Sequence, residues 1–311
     1  MKYIFIIYLN RSGSTFLSNQ LSKLSEILVC PEAEVLVNVL LKNPDTGLNK
    51  KDQKILGSAM ENDRKLKHWN LDIDLSKTDP LSKLDLFFNI LNQYRSRTKP
   101  GSTLIAFKAV DLINCIEVLH EYGSRKGLDI YFISLTRDPR AIYNSQRQTY
   151  VEHRKKFMNR NPLAIVYQWN YLVTNSINYK SLTKLVILKY EDLINSLEIE
   201  LNQLLKFLGI HGEHTFIGLQ GDLKARIPKD QLSMHQNITN PPKLEKVNQW
   251  QTECTLIIQE LIQQYTQEGL KQMKYNINPV TQPGIIKQLI LIRYKIELAM
   301  KDLYRLVRKT P

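Results

Sequence analysis

The chain has 311 residues, a net charge of +13 and a hydrophobic content of 43%, which is a globular composition large enough for one big α/β domain or two small ones. No segment is both long and apolar enough to span a bilayer, and the first apolar run is too short for a secretion signal, so it reads as part of the mature fold. Cys30, Cys115 and Cys254 are scattered without metal-ligand spacing, which suits a reducing cytoplasm.

In chain order, Tyr3–Leu9 is a continuous apolar run, as expected of a strand covered on both faces. It ends in Asn10-Arg11-Ser12-Gly13-Ser14-Thr15, after which Phe16, Leu17, Leu21 and Leu24 take helical spacing. Strand, small polar turn and helix together aim the free N–H groups of a helix start at an anion. Arg11 adds a forked cation, Ser12, Ser14 and Thr15 add hydroxyls, and Gly13 permits close backbone approach. The turn lacks the second glycine and the lysine of the nucleoside-triphosphate loop, so its anion need not be ATP. A serine-rich cap on an ordinary crossover helix is the plainer alternative.

Further strands are expected at Ile27–Cys30, Thr103–Phe107, Ile130–Thr136 and Leu185–Leu188. Helices are expected at Thr15–Ser25, Glu34–Leu41, Leu81–Arg95, Leu112–Tyr122, Pro139–Tyr150, Pro162–Ser181 and Leu193–Leu208. This alternation predicts a parallel sheet with helices on both faces and ligands at the carboxyl ends of its strands. Residues 43–79 are polar and read as an insertion or lid. Residues 209–242 are rich in Gly, His, Asn and Pro and read as a long functional loop. Residues 284–309 form a basic amphipathic helix. Its apolar face is Ile285, Leu289, Ile292, Ile296, Met300, Leu303 and Val307. That face docks on the domain, pairs with a second subunit, or lies on an anionic membrane.

A second strand, turn and helix appears at Ile130–Gln148. Arg137 stands at the strand end, Asp138 and Pro139 suit a helix start, and Ser145 lies about two turns on. Arg137 and Ser145 would clamp a second phosphate; the alternative is a surface pair between Arg137 and Asp138. Glu32 and Glu34, just after the second strand, are candidate proton acceptors, or exposed acids at a helix start. The six histidines show no metal spacing, so no metal is expected. The basic charge favours anionic partners, but no nucleic-acid module or basic patch interleaved with aromatic residues is present.

RSGSTFL, LTRDPRAIYNSQR and KYEDLINSLEIELNQLLKFLGI, in this order from Tyr3 to about Trp250, resemble the sulfotransferases that use 3′-phosphoadenosine 5′-phosphosulfate (PAPS). The likeness is closest to the carbohydrate and tyrosylprotein branch. It implies an α/β, P-loop-like three-layer sandwich with a C-terminal amphipathic helix. A sulfotransferase domain would occupy 1–278 and the helix 279–311. The resemblance places the 5′-phosphosulfate at Arg11, Ser12, Gly13, Ser14 and Thr15, and the 3′-phosphate at Arg137 and Ser145. Tyr190 would help hold the nucleotide, or pack on the core at a strand end. A closing loop at about 226–250 would bring His235, Asn240 and Lys243, with Thr239 and Lys243 replacing the glycine and arginine of the family's loop. The family's catalytic glutamate maps to Glu32, with Glu34 as the alternative. Lys108 maps to a lysine near the transferring sulfuryl group, or is a surface lysine.

The resemblance implies a hydroxyl-bearing acceptor, such as a saccharide or lipid. With no anchor ahead of the first strand, a soluble bacterial enzyme is expected, cytoplasmic or peripheral at a membrane through 284–311. A homo-oligomer remains open. The rival functions are a P-loop nucleotide kinase and a nucleotide-binding protein without catalysis.

Overall fold

The structure, a computed structural model, describes residues 1–311 except 43, 45–46, 64, 70, 72–81, 213, 215, 217–244, 282–283 and 310–311, together with the side chains of 68, 153 and 302–309. In chain order come β1 (Lys2–Tyr8), α1 (Ser14–Ser22), β2 (Ile27–Val29) and α2 (Glu34–Leu36), which runs into a π-helical turn at Val37–Leu41. Then follow α3 (Lys50–Asn62), α4 (Lys83–Thr98), β3 (Leu104–Lys108), α5 (Ile116–Lys126), β4 (Asp129–Thr136) and α6 (Pro139–Gln148). A small antiparallel hairpin of β5 (Tyr150–Val151) and β6 (Lys156–Phe157) precedes α7 (Pro162–Lys180), β7 (Leu185–Lys189), α8 (Tyr190–Asn195) and α9 (Leu197–Phe207). The last part is helical: α10 (Glu245–Asn248), α11 (Trp250–Glu253), α12 (Leu256–Gln272) and α13 (Gly284–Lys309).

The chain divides into two compact units, each described by itself. One comprises Met1–Tyr8, Gly13–Leu135 and the described residues of Ser176–Pro241; the other comprises Leu9–Ser12, Thr136–Asn175 and the described residues of Pro242–Pro311. The first unit is built on a central parallel sheet of five strands in the order β2-β3-β1-β4-β7. β1 pairs in parallel with both β3 and β4, which makes it the central strand. Its unbroken apolar sequence follows, because both faces of a central parallel strand are covered. Alternate residues serve different layers. Ile4, Ile6 and Tyr8 join an aliphatic core with Leu17 and Leu21 of α1 and Leu201, Leu204 and Leu205 of α9. On the other side Tyr3 and Phe5 meet Phe87 and Phe88 of α4, and Phe5 lies beside Phe132 of β4.

Two expected helices differ in detail. Leu193–Leu208 is interrupted at Ser196, whose φ of −141° and ψ of 52° leave the helical region, so α8 and α9 are separate. Leu112–Tyr122 starts as a 3₁₀ segment at Val110–Cys115 before α5 takes over. Within the polar stretch 43–79, the described part holds α3 and a 3₁₀ turn at Leu66–Trp69. Leu56, Leu66 and Trp69 are buried there, with Trp69 against Tyr94 and Phe107.

In the second unit, α6 packs on α11 and α12. Arg140 of α6 holds this region. It bonds both carboxylate oxygens of Asp138 at 2.9 and 2.7 Å, Gln263 Oε1 at 2.9 Å and the Asn276 carbonyl at 2.7 Å. Its guanidinium lies 4.1 Å from the Trp250 ring centre. Helix α13 is present as expected, but it docks through an unexpected face. Lys287 is buried and pairs with Glu260 of α12 at 3.2 Å, while Ile285, Leu289, Ile292, Ile296 and Met300 stay exposed. The apolar face that periodicity marks is not the side that makes this attachment; a buried ion pair and the opposite side of the helix make it.

Candidate active site

In the first unit the strand ends gather charge. Tyr8 closes β1 and donates its hydroxyl to Glu32 Oε1 at 2.5 Å. Lys108 closes β3; its Nζ donates to the same oxygen at 2.5 Å and lies 3.5 Å from Thr15 Oγ1 at the start of α1. The other oxygen, Glu32 Oε2, accepts from Lys65 Nζ at 2.7 Å, and Lys65 also reaches Glu34 at 2.9 Å. Glu32 follows β2, which runs parallel beside β3, so sheet register brings its carboxylate to the end of β3. Burial opposes the charge on Glu32. The ammonium groups of Lys108 and Lys65 outweigh that effect and hold its carboxyl well below the usual carboxylate range. Burial also opposes the charge on Lys65, yet the two carboxylates raise its pKa. Tyr8 is pushed up by burial and by the adjacent Glu32 charge, so its hydroxyl stays protonated and donating. Glu34 touches only Lys65 among these groups and is the more exposed acid, 45% against 22% for Glu32.

α1 starts directly at this cluster. Its N-cap is Gly13 at φ 92°, and no side chain caps the first N–H groups. A side chain at Gly13 is excluded twice: by the left-handed backbone, and because a Cβ would come within 2.2 Å of the Tyr190 ring. Tyr190, at the start of α8, therefore packs its ring against the turn at Gly13. Ser14 is buried and Thr15 half-buried.

In the second unit, Leu9–Ser12 forms the other half of the turn. Ser12 bonds the Leu9 carbonyl through its N–H at 3.1 Å and its hydroxyl at 2.6 Å. Arg11 has a φ of 74°, uncommon for a residue with a Cβ. Its Nε donates to Ser145 Oγ at 3.0 Å, and its carbonyl accepts from Arg137 Nη1 at 2.9 Å. Gln146 of α6 donates to the Asn10 carbonyl at 2.8 Å and so fixes the turn on that helix. Arg137 also donates to the Lys246 carbonyl at 3.3 Å, and its own carbonyl accepts from the buried Trp169 indole at 2.8 Å. Asp138 caps α6 and is bound to Arg140, and the Arg137 guanidinium reaches the turn at the Arg11 carbonyl.

Arg11, Arg137 and Ser145, expected at two different phosphates, thus meet at Arg11, whose guanidinium bonds Ser145 and whose carbonyl accepts from Arg137. Glu32, Lys108 and Thr15 meet in the other unit, and Gly13 and Tyr190 touch there. His235, Asn240 and Lys243, with residues 226–244 of the expected closing loop, lie outside the described residues. Sequence reasoning missed Tyr8, Lys65, Arg140 and Gln146. Tyr8 read as one more core residue of a strand, and Lys65 as an isolated lysine in a polar stretch; nothing in their local pattern signals a partner. Among the described residues, no group of three or more His, Cys, Asp or Glu is arranged to hold a metal ion.

The family model described as "Sulfotransferase family" matches residues 3–214. The chain belongs to the sulfotransferase family. Solved structures with the same fold include the sulfotransferase domain from the curacin biosynthetic pathway, at 20% identity and a TM-score of 0.56 over 88% of this chain and 98% of that one. The sulfotransferase domain of the olefin synthase of Synechococcus PCC 7002 matches at 18% identity and a TM-score of 0.60, over 89% of this chain and 96% of that one. No curated protein matches the chain. A carboxylate, a lysine and an uncapped helix start placed together offer a proton acceptor beside groups that stabilise negative charge.

Proposed function

We propose that this sulfotransferase moves the sulfuryl group of PAPS to a hydroxyl on an acceptor such as a saccharide or lipid, with Glu32 as general base. The observation that carries the reading is Lys108, whose Nζ bonds Glu32 and stands 3.5 Å from Thr15 in the first turn of α1. One cation thereby connects the proposed base with the proposed phosphosulfate turn. PAPS supplies the activated sulfuryl group; the rest is done by the chain. Arg11, Gly13, Ser14 and Thr15 hold the 5′ end through backbone N–H groups, hydroxyls and a guanidinium, and Ser12, whose N–H and hydroxyl both bond the Leu9 carbonyl, shapes the turn that presents them. The absence of a side chain at Gly13 and of a cap on α1 fits an anion there. Arg137 and Ser145 hold the 3′-phosphate, and Tyr190 supports the turn. His235, Asn240 and Lys243 are retained as proposed contacts of the loop.

Tied to Tyr8, Lys65 and Lys108, Glu32 is ionised but weakly basic. With PAPS held at the turn, Lys108 would be placed to share its charge with the sulfuryl group, and Glu32, with less of that cation, would be the more basic towards the acceptor hydroxyl. Glu32 is preferred to Glu34 because Lys108 touches it. The kinase alternative is not favoured, since the turn lacks the kinase lysine and the family is that of sulfotransferases.

Two experiments test this reading. Adenosine 3′,5′-bisphosphate should raise the melting temperature in proportion to the logarithm of its concentration above Kd, without metal. Arg137→Ala should weaken that ligand by about 10–150-fold, the loss of one charge-assisted contact of roughly 1.5–3 kcal/mol. The same variant should barely change binding of adenosine 5′-phosphate. Equal losses for both nucleotides would remove Arg137 from the 3′-phosphate.

The second experiment concerns pH. Because the folded pKa of Glu32 is depressed, its contribution to stability is full above the unfolded carboxyl value of about 4.3 and is lost as pH falls through the lower folded value. Lys65→Met removes one cation that lowers this pKa. The acid limb of kcat/KM is therefore expected to move to higher pH in the variant, measured over a pH series. An unmoved limb would show that Lys65 does not tune the base.

A further inference from the structure

Five large apolar side chains lie exposed along one side of α13: Ile285, Leu289, Ile292, Ile296 and Met300, between 52% and 71% accessible. They recur at steps of three and four residues and so form one stripe, about 23 Å long at 1.5 Å per residue. The helix cannot turn this stripe inward, because its opposite side is already committed. Lys287 is buried against Glu260, which also accepts from the Thr281 N–H and hydroxyl at 2.6 and 2.9 Å. Asn161 donates to the Tyr294 carbonyl at 3.0 Å, and Ile290, Leu291, Tyr294 and Leu298 are half-buried on that side. An apolar stripe held outward by an ion pair at its back is a surface awaiting an apolar partner.

Charge indicates which partner. Exposed Arg293 and Lys295 stand on opposite flanks of the stripe. The acid of the segment, Glu297, is bound to Lys301 at 2.6 Å. A second copy of the helix would set like charges against each other on both flanks. An acidic surface with an apolar interior would satisfy the flanks and the stripe at once. Among the described residues, no helix is long and apolar enough to cross a membrane, so the helix would lie in the interface.

We infer that α13 is a fixed amphipathic foot that seats the protein on an anionic lipid surface, with Ile285, Leu289, Ile292, Ile296 and Met300 in the acyl boundary and Arg293 and Lys295 at the headgroups. The 311-residue chain tests this by co-sedimentation with vesicles of phosphatidylcholine alone and of phosphatidylcholine mixed with phosphatidylglycerol. Binding is expected only to the anionic vesicles, and it should weaken as salt shortens the screening length. Arg293→Gln with Lys295→Gln should weaken it about 25-fold, roughly fivefold for each cation near the surface. Leu289→Asp with Ile296→Asp should abolish it while leaving the melting temperature unchanged, since both positions are exposed. No binding to anionic vesicles, or binding unaffected by Leu289→Asp and Ile296→Asp, overturns the proposal. So does a dimer, seen by light scattering, that these substitutions dissociate without any vesicle binding; the stripe would then belong to a second copy.

Discussion

Replacing Glu32 by glutamine is expected to lower the transfer rate by about 10²–10⁴-fold, the usual contribution of a general base, while leaving the affinity for adenosine 3′,5′-bisphosphate unchanged. The separation follows from geometry. Glu32 bonds Tyr8, Lys65 and Lys108, and none of its bonds goes to the turn 11–15. Glutamine keeps the shape and an acceptor oxygen but removes the proton-accepting charge. It also leaves two ammonium groups with less compensation, so some loss of stability should accompany the kinetic effect. With Glu32 22% exposed, that loss should fall below the 3–5 kcal/mol typical when a fully buried pair is broken. Single-turnover rates and nucleotide titrations on one preparation separate the two effects. A rate within tenfold of the parent would move the base to Glu34, whose side chain shares Lys65 with Glu32.

The largest effect on stability is expected at Arg140. Arg140→Ala should cost about 3–5 kcal/mol, because it leaves the buried Asp138 carboxylate without its bidentate partner. It also removes one of the two donors to Gln263 Oε1, which still accepts from the Asn278 N–H, takes the Arg140 bond from the Asn276 carbonyl and uncovers the Trp250 ring. Urea denaturation measures this directly. Arg140→Lys keeps the charge and loses the planar fork, so it should recover only part of the loss. If Arg140→Ala costs less than about 1 kcal/mol, the value of an ordinary hydrogen bond, the network is not what holds α6 to α11 and α12.

Much of the fold was legible because it is written in local chemistry. A continuous apolar run followed by a small polar turn and helical spacing sufficed for β1, the turn and α1, and the same pattern sufficed for β4 and α6. Strand and helix periods differ, so the alternation also yielded the parallel sheet with helices on both faces. The family could be named from the order of its short motifs. The interruption at Ser196 was less legible, since the apolar spacing on its two sides is compatible with one continuous helix.

What the chain does with its charges was decided by the tertiary structure. The sequence placed Arg137 beside Asp138, and adjacency suggested a pair. Folding gives Asp138 to Arg140, which reaches it from the first turn of α6 with two nitrogens, and turns Arg137 to the Arg11 carbonyl. Lys65 is 33 residues from Glu32, and Lys108 is 76 away. No local pattern encodes such contacts; they exist because the sheet brings strand ends together and α3 with the following turn brings Lys65 back. The apolar face of α13 is the same lesson in reverse. Periodicity determines that residues 285, 289, 292, 296 and 300 share a side of a helix, since that depends only on 3.6 residues per turn. Whether a side is covered depends on which contacts elsewhere are stronger, and here the buried pair of Lys287 with Glu260 turns that side to the outside.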